Sequence, residues 1–226
     1  MEQERLEEVG QRSGQQELAD VAGKALRVAV LVPSQNGFWP AKFCGSLSNM
    51  VIHFQGSEYK EGDHDITVIS KSGPVMPEVR HRLIGDAMAW EATHILMISP
   101  ELTFPADSIH RMLKRGRGVV AVNYLKNFIS QDFSAYRAGS TVKPDPVLPE
   151  TEEVDGVSIG MALFCMPVFD VLELPYFKHE QIEDTPAFTE DHIFFWEKCK
   201  EKEIPCIIDH ELSQEIKSLH HGEIWH

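Results

Sequence analysis

The sequence has few cysteines and no long apolar run. Its four cysteines form no closely spaced pair of the kind that holds a structural zinc ion, and three of them lie in apolar surroundings. No apolar stretch approaches the roughly 20 residues that a membrane-spanning helix needs. The polar, acidic residues 1–20 lack the apolar segment of a secretory signal. These absences predict a reduced cytoplasmic protein without a structural zinc site and without a membrane partner.

Basic residues are also scarce relative to acidic ones. The chain has 21 Lys and Arg against 35 Asp and Glu, a formal net charge of −14. General electrostatic binding to nucleic acid needs a basic surface, so the composition disfavours it and leaves open a local basic groove. The densest basic cluster is KRGR, residues 114–117. Basic residues before a glycine are typical of a helix C-terminus, and we interpret the cluster in that way.

Apolar runs alternate with segments of helical periodicity along most of the chain. This alternation predicts an α/β fold with a mostly parallel central sheet. Strands are expected at 26–32, 65–70, 95–98, 119–124, 161–166 and 204–209, and helices at 41–54, 77–90, 106–114 and 192–202. Residues 1–24 form an acidic extension, and 25–226 form a single domain. Segment 126–153 lacks periodicity, and a connection of that length is usually functional or mobile.

Polar residues follow two of the predicted strands. The run 95–98 ends at Ser99-Pro100-Glu101, which places a carboxylate where open α/β sheets bind their ligands. Metal-bound phosphate is one ligand for such an acid, and a solvated loop acid before a helix is the alternative. The first strand is followed by a polar loop that could meet a nucleobase edge or be a simple turn. The loop residues are Pro33, Ser34, Gln35, Asn36 and Gly37.

Two acids open the helix predicted near residue 192. Glu190 and Asp191 follow Thr189, and an acid at an exposed helix start can act as a general base. Thr189 with acids in the first turn is also an ordinary N-terminal capping signal. Capping and catalysis are compatible, because both place the acids at the exposed end of the helix.

Taken together, these motifs resemble a GT-A fold glycosyltransferase, close to the family 2-like proteins common in phage genomes. The resemblance runs from about Leu26 to the C-terminus. It rests on the order and spacing of several short segments: VAVLVPSQNG, PEVRHRLIGDAMAWEATHILMIS, VDGVSIGMALFCMPVFD, FTEDHIFF and the tail HHG. It implies a single GT-A-like, Rossmann-like domain that moves a sugar from a nucleotide-diphosphate sugar, such as a UDP-sugar, to a hydroxyl acceptor. Phage relatives point to a hydroxymethylated pyrimidine in DNA as one acceptor, and to the host cytoplasm as the location.

The resemblance also implies roles for individual residues. It implies a nucleotide site that comprises Pro33, Ser34, Gln35, Asn36, Arg80 at the diphosphate, Ser99, and Gly160 near the acceptor. It implies that Glu101 and His220 hold a divalent Mn or Mg ion, and that Asp191 is the base with Glu190 in support. Ser99 stands where the family has the first acid of its Asp-x-Asp motif. One charged ligand is therefore missing, and we expect the metal to be held weakly.

Two other classes of protein remain open. A GT-A-like binding or regulatory protein with weakened catalysis would explain the missing acid at Ser99. A nucleotidyltransferase of the related fold is a further alternative. Such an enzyme usually has a glycine-rich loop with a basic residue after the first strand, which PSQNGFWP lacks.

Overall fold

The computed structural model describes residues 25–57, 64–127, 132–143 and 150–219. The predicted extension 1–24 and the predicted metal ligand His220 lie outside these residues. Within the described ranges, no helix combines the length and the apolar character needed to cross a bilayer.

The secondary structure alternates between strands and helices along most of the chain. The strands are β1 Leu26–Ser34, β2 His64–Ser72, β3 His94–Ile98, β4 Leu102–Thr103, β5 Val119–Ala121, β6 Leu125–Asn127, β7 Asp132–Phe133, β8 Ala135–Arg137, β9 Ser140–Thr141, β10 Thr151–Val154, β11 Gly156–Val157, β12 Met161–Cys165, β13 Cys206–Asp209 and β14 Lys217–Ser218. The helices are α1 Ala41–Gln55, α2 Met76–Ala89, α3 Ser108–Lys114, α4 Pro167–Val171, α5 Asp191–Glu201 and α6 His210–Ser213.

A seven-stranded central sheet organises the fold, in the order β10-β13-β5-β12-β3-β1-β2. Strands β2, β1 and β3 are parallel, and β13 is parallel to β5. Strand β12 is antiparallel to both β3 and β5, so these two neighbours run in the same direction. Strand β10 is antiparallel to β13. The prediction of an α/β domain with a mostly parallel sheet is confirmed.

Both faces of the sheet are covered. Along β1, Ala29 and Leu31 face the core layer that includes residues of α2, α4 and α5, whereas Val28 and Val30 face the layer with α1 and α3. A strand buried on both faces must be apolar at every position, which is why the central strands appear as continuous apolar runs.

Strands β1 and β5 differ from their predicted bounds. Strand β1 continues through Pro33 and Ser34, which were expected in a loop, because they pair in register with Lys71 and Ser72 of β2. Strand β5 ends at Ala121, although the apolar sequence continues beyond it.

The long aperiodic segment is also more regular than expected. Its described residues form short strands, and β10 becomes an edge strand of the central sheet through its pairing with β13. The four residues TEEV are too few and too polar to show a strand pattern in the sequence. Pairing with a distant strand therefore decides their conformation.

The basic cluster 114–117 contributes a structural ion pair. Arg115 follows α3, and its Nε donates to Oδ2 of Asp209 at 2.7 Å. Asp209 is fully buried and also caps α6, since its Oδ1 accepts from the Leu212 N–H at 2.8 Å. The guanidinium also contacts Glu150 and Glu211 near the surface. This arginine therefore joins α3 to the end of β13.

We expect Arg115→Met to destabilise the fold strongly. The substitution leaves the Asp209 carboxylate buried without its cation, and breaking a buried pair in this way costs about 3–5 kcal/mol. Urea unfolding monitored by circular dichroism measures the loss. Arg117→Met, at an exposed arginine two residues away, is the matched control and should change stability by less than about 0.5 kcal/mol. Equal stabilities of the two variants would contradict the assigned role of Arg115.

Candidate functional site

The ends of several strands meet at one edge of the sheet. The Ser99 N–H, just after β3, donates to the Gly160 carbonyl before β12 at 2.6 Å. The Val122 N–H, just after β5, donates to the Met161 carbonyl at 3.1 Å. Since β12 is antiparallel to its neighbours, its start lies beside their carboxyl ends. This is the edge at which open α/β sheets bind ligands.

The loop after β1 is held by its own side chains. Ser34 Oγ accepts the Gly37 N–H at 2.9 Å, and Asn36 Oδ1 accepts the Phe38 N–H at 3.0 Å. Gly37 has a φ of 77°, which favours glycine. Of the predicted nucleotide-binding residues, Pro33 and Ser34 are buried, whereas Gln35 and Asn36 are exposed. The structure thus presents a short, organised polar turn to solvent at the end of β1.

Arg80 and Asp191 form a buried ion pair. The Arg80 guanidinium contacts Asp191 Oδ2, and the two side chains are only 11% and 7% exposed. The guanidinium carbon also lies 5.3 Å from the centre of the Phe177 ring. The resemblance implied a diphosphate contact for Arg80 and a general base in Asp191. The structure pairs the two charges with each other, since a buried charge needs a partner, and the two implied roles stay predictions.

Glu190 differs from Asp191 in its surroundings. It is the N-cap residue of α5, and its side chain is 60% exposed. Lys126 Nζ donates to its two carboxylate oxygens at 3.3 and 3.2 Å. Glu190 makes no side-chain cap hydrogen bond, and Thr189 Oγ1 accepts instead from the Glu180 N–H at 3.1 Å. Neither Thr189 nor Glu190 therefore caps α5 through its side chain.

His192 links Glu190 to the interior. Its Nδ1 lies 3.3 Å from Glu190 Oε2, and its Nε2 lies 3.3 Å from Ser158 Oγ. Burial lowers the pKa of His192 to about 4; the Glu190 carboxylate opposes this shift, and the positive charges of Arg80 and Lys126 add to it. The imidazole is therefore neutral at neutral pH.

Tyr124 occupies the space beside Gly160. A Cβ atom built on Gly160 would overlap the Tyr124 ring, so this glycine makes room for the ring. Burial raises the pKa of the Tyr124 phenol; the carboxylates of Glu101 and Glu190 raise it further, whereas Arg80 lowers it. The phenol is therefore protonated at neutral pH. Gly160 thus makes room for Tyr124, and the close approach to the acceptor that the resemblance implied stays a prediction.

The described residues do not by themselves form a metal site. Ser99 Oγ accepts the Glu101 N–H at 3.3 Å, and the Glu101 carbonyl accepts the Leu219 N–H at 2.8 Å. In the described part of the chain, no group of three or more His, Cys, Asp or Glu residues is arranged to hold a metal ion. Hard divalent ions need several oxygen ligands, so Glu101 would hold one only together with phosphate oxygens and water, and the predicted ligand His220 lies outside the described ranges.

The structure adds three residues to those expected from sequence: Tyr124, Lys126 and His192. Tyr124 and Lys126 follow β5, whose carboxyl end lies at the same edge as that of β3. Residues that follow a parallel strand are candidates for a ligand-binding edge, but the strand predicted at 119–124 included Tyr124. His192 is directly beside the predicted acids, and its buried position appears only in the folded chain.

Comparisons with known proteins identify a fold. No protein-family model matches the chain, and no curated protein matches it. Among solved structures, A197 from STIV is 13% identical over 81% of this chain and 81% of its own, with a TM-score of 0.53. A nucleoside-diphosphate-sugar pyrophosphorylase from Vibrio cholerae RC9 is 7% identical over 85% of this chain and 95% of its own, with a TM-score of 0.47. The likeness to A197 shows a shared α/β fold, and the weaker second likeness carries no functional weight.

The contact between Gly160 and Tyr124 predicts a strong coupling between the two positions. Gly160→Ala should destabilise the protein by about 1–3 kcal/mol, because the added methyl group overpacks against the ring. In a Tyr124→Ala background the same substitution should cost far less, since the overlapping ring is gone. Urea unfolding of the four proteins gives the coupling energy by a double-mutant cycle. Equal costs in both backgrounds would show that the ring is not the obstacle.

The neutral, buried His192 predicts a loss of stability in mild acid. Its pKa is about 4 when folded and about 6.5 when unfolded, so the unfolded state binds more protons as the pH falls between these values. Its contribution is complete above pH 6.5, and about 2 kcal/mol is lost by pH 5. Urea unfolding at pH 7 and pH 5 measures this change. His192→Gln should reduce the difference between the two pH values, whereas exposed His179→Gln should preserve it. A pH dependence unchanged by His192→Gln would contradict the assignment.

Proposed function

We propose that the protein transfers a sugar from a nucleotide-diphosphate sugar to a hydroxyl acceptor. The observation that carries the proposal is the exposed carboxylate of Glu190 at the start of α5, which contacts Lys126 and His192 and directly precedes the Arg80-paired Asp191. A carboxylate, an imidazole and a positive charge thus meet near the edge where this fold class binds ligands. The resemblance in the sequence motifs supplies the reaction class, and the fold alone does not specify it.

Glu190 is assigned the role of the general base. A base must reach the acceptor hydroxyl at hydrogen-bond distance, and the Glu190 side chain is 60% exposed whereas that of Asp191 is 7% exposed. Asp191 acts as a positioning residue, since its carboxylate is held by Arg80. This assignment reverses the order that the resemblance implied for the two acids.

The donor is assigned to the carboxyl ends of β1 and β3. The turn at Gln35 and Asn36 offers exposed amide groups to a nucleobase, with a uracil-like base as the first candidate. Glu101 and Ser99 lie at the next strand end, near the expected diphosphate. Glu101 is the one carboxylate of this motif, and one carboxylate is the lower limit for a divalent ion held together with phosphate oxygens.

Exchange of each acid for its amide separates the two roles. Glu190→Gln should lower sugar transfer by about 10²–10⁴-fold, because the proton acceptor is lost, and should leave folding intact. Asp191→Asn should lower stability by about 3–5 kcal/mol, because it removes the charge partner of buried Arg80. The assay measures release of nucleoside diphosphate from a panel of nucleotide-sugars, with urea unfolding in parallel. If Asp191→Asn abolished transfer without loss of stability, Asp191 would be the base instead.

A catalytically weakened binding protein is the second candidate. The described structure pairs Glu190 with Lys126 and Arg80 with Asp191, so the charged groups already have partners without a ligand. A protein of this class would bind nucleotide-sugars in calorimetry and release no nucleoside diphosphate with any acceptor. Release of pyrophosphate from a nucleoside triphosphate and a sugar phosphate would instead identify a nucleotidyltransferase.

The proposed acceptor is a hydroxyl group on a modified base in DNA. A hydroxymethylated pyrimidine in DNA offers the primary hydroxyl that Glu190 would deprotonate. The net charge of −14 weighs against tight general binding to DNA, so recognition would depend on local groups at the site. Radiolabelled sugar transfer to DNA with and without hydroxymethylated bases, at low and high salt, tests this acceptor directly.

A further inference from the structure

We propose that Lys126 takes the place of a divalent ion in this site. When the donor sugar binds, the Lys126 ammonium would move away from Glu190 and bind the diphosphate. The inference rests on the proposed function and adds a residue and an order of events to it. The ammonium would neutralise the charge that develops on the leaving group. Departure of Lys126 would also free the Glu190 carboxylate for the acceptor, so that donor binding prepares the base.

The motif at the end of β3 motivates a replacement for the metal. Ser99-Pro100-Glu101 supplies one carboxylate, and the hydroxyl of Ser99 accepts the Glu101 N–H. A magnesium or manganese ion is usually held by one or two carboxylates together with phosphate oxygens and water. The single carboxylate of Glu101 is therefore the smallest number of carboxylates that usually holds such an ion.

Lys126 is placed to act as the cation. It lies on β6, directly after the strand that ends at the sheet edge, and its side chain is 35% exposed. Its ammonium contacts both oxygens of Glu190. Arg80 is another cation near this site, but it is buried against Asp191 and is less able to change partners. Positive charge from both residues acts on His192, which places Lys126 within the same cluster.

The exchange of partners is mechanically feasible. A lysine carries a point charge on a flexible four-carbon stem, so its ammonium can move several ångströms without a backbone change. The pair with Glu190 is partly exposed, and exposed pairs of this kind contribute little to stability. A diphosphate with two or more negative charges competes well against one carboxylate for the ammonium.

The chemical step balances without a further reactant. The bond between the anomeric carbon and the diphosphate oxygen breaks, and its electron pair stays on that oxygen. The acceptor oxygen forms the new bond to the anomeric carbon, and its proton passes to the Glu190 carboxylate. The nucleoside diphosphate leaves with one more negative charge than it carried in the donor. Preorganised positive charge at that position stabilises the transition state.

Binding of nucleoside diphosphates tests the inference apart from turnover. Isothermal titration with UDP, GDP and dTDP is done in the presence of a chelator on the full chain. We expect wild-type protein to bind at least one of them, and Lys126→Met to bind it at least tenfold more weakly. Lys126→Arg should keep most of the affinity. Lys114→Met, at an exposed lysine on α3, is the matched control and should leave binding unchanged.

The Glu190 variant gives the sharpest readout. Glu190→Gln removes a negatively charged partner of Lys126, so diphosphate affinity should rise by two- to fivefold while transfer is lost. Affinity that falls with Glu190→Gln, or that is unaffected by Lys126→Met, would overturn the inference. Binding by wild-type protein that disappears with chelator and returns with manganese would also overturn it.

Turnover separates failure of the inference from failure of the proposed function. If wild-type protein transfers sugar with chelator present, Lys126→Met should lower kcat by about 10²–10³-fold, and manganese should not restore it. Transfer that needs manganese and is indifferent to Lys126→Met would refute the inference and retain the glycosyltransferase. Lysine-dependent binding without any transfer would refute the enzyme and retain the diphosphate site.

Discussion

The buried ion pair between Arg80 and Asp191 determines where the first turn of α5 lies. Arg80 belongs to α2, which packs on β1, whereas Asp191 begins α5, so the pair fixes one helix against the other. Removal of either charge would leave its partner unpaired in a poorly solvated place. Glu190 directly precedes Asp191, and its exposure at the sheet edge depends on this attachment. The same motif thus contains one acid held in a buried ion pair and one acid whose side chain is mostly exposed.

The antiparallel strand β12 gives the site its second constraint. Since β12 lies between β3 and β5, its start is brought beside their ends, and Gly160 and Tyr124 meet there. A side chain at Gly160 would overlap the Tyr124 ring and displace it. The polar groups at this edge therefore depend on sheet order as well as on their own chemistry. His192 adds a neutral, buried link from Glu190 to Ser158, and its neutrality follows from burial.

The elements predicted correctly from the sequence are those whose pattern of apolar residues follows their burial. The continuous apolar runs of β1 and β3 and the helical spacing of α1 and α2 correctly predicted an α/β fold with a mostly parallel sheet. Sequence reasoning was less accurate where pairing decides conformation, as in the edge strand β10 and the extra residues of β1. A four-residue polar strand has no periodic signal of its own. For the site, the sequence indicated Glu101, Glu190 and Asp191, and it passed over Tyr124, Lys126 and His192.

The amino-acid sequence by itself determined the layers of the fold, the strand ends at which polar residues cluster and the presence of two acids at the start of α5. These properties are local, because burial patterns and turn residues act over a few neighbours. Only the tertiary structure decided which acid is paired with Arg80, which one faces solvent beside Lys126, and why position 160 has no side chain. Those outcomes depend on groups between 36 and 111 residues apart in the chain. Burial lowers the local dielectric constant, so the attraction between opposite charges is stronger and favours one particular pairing.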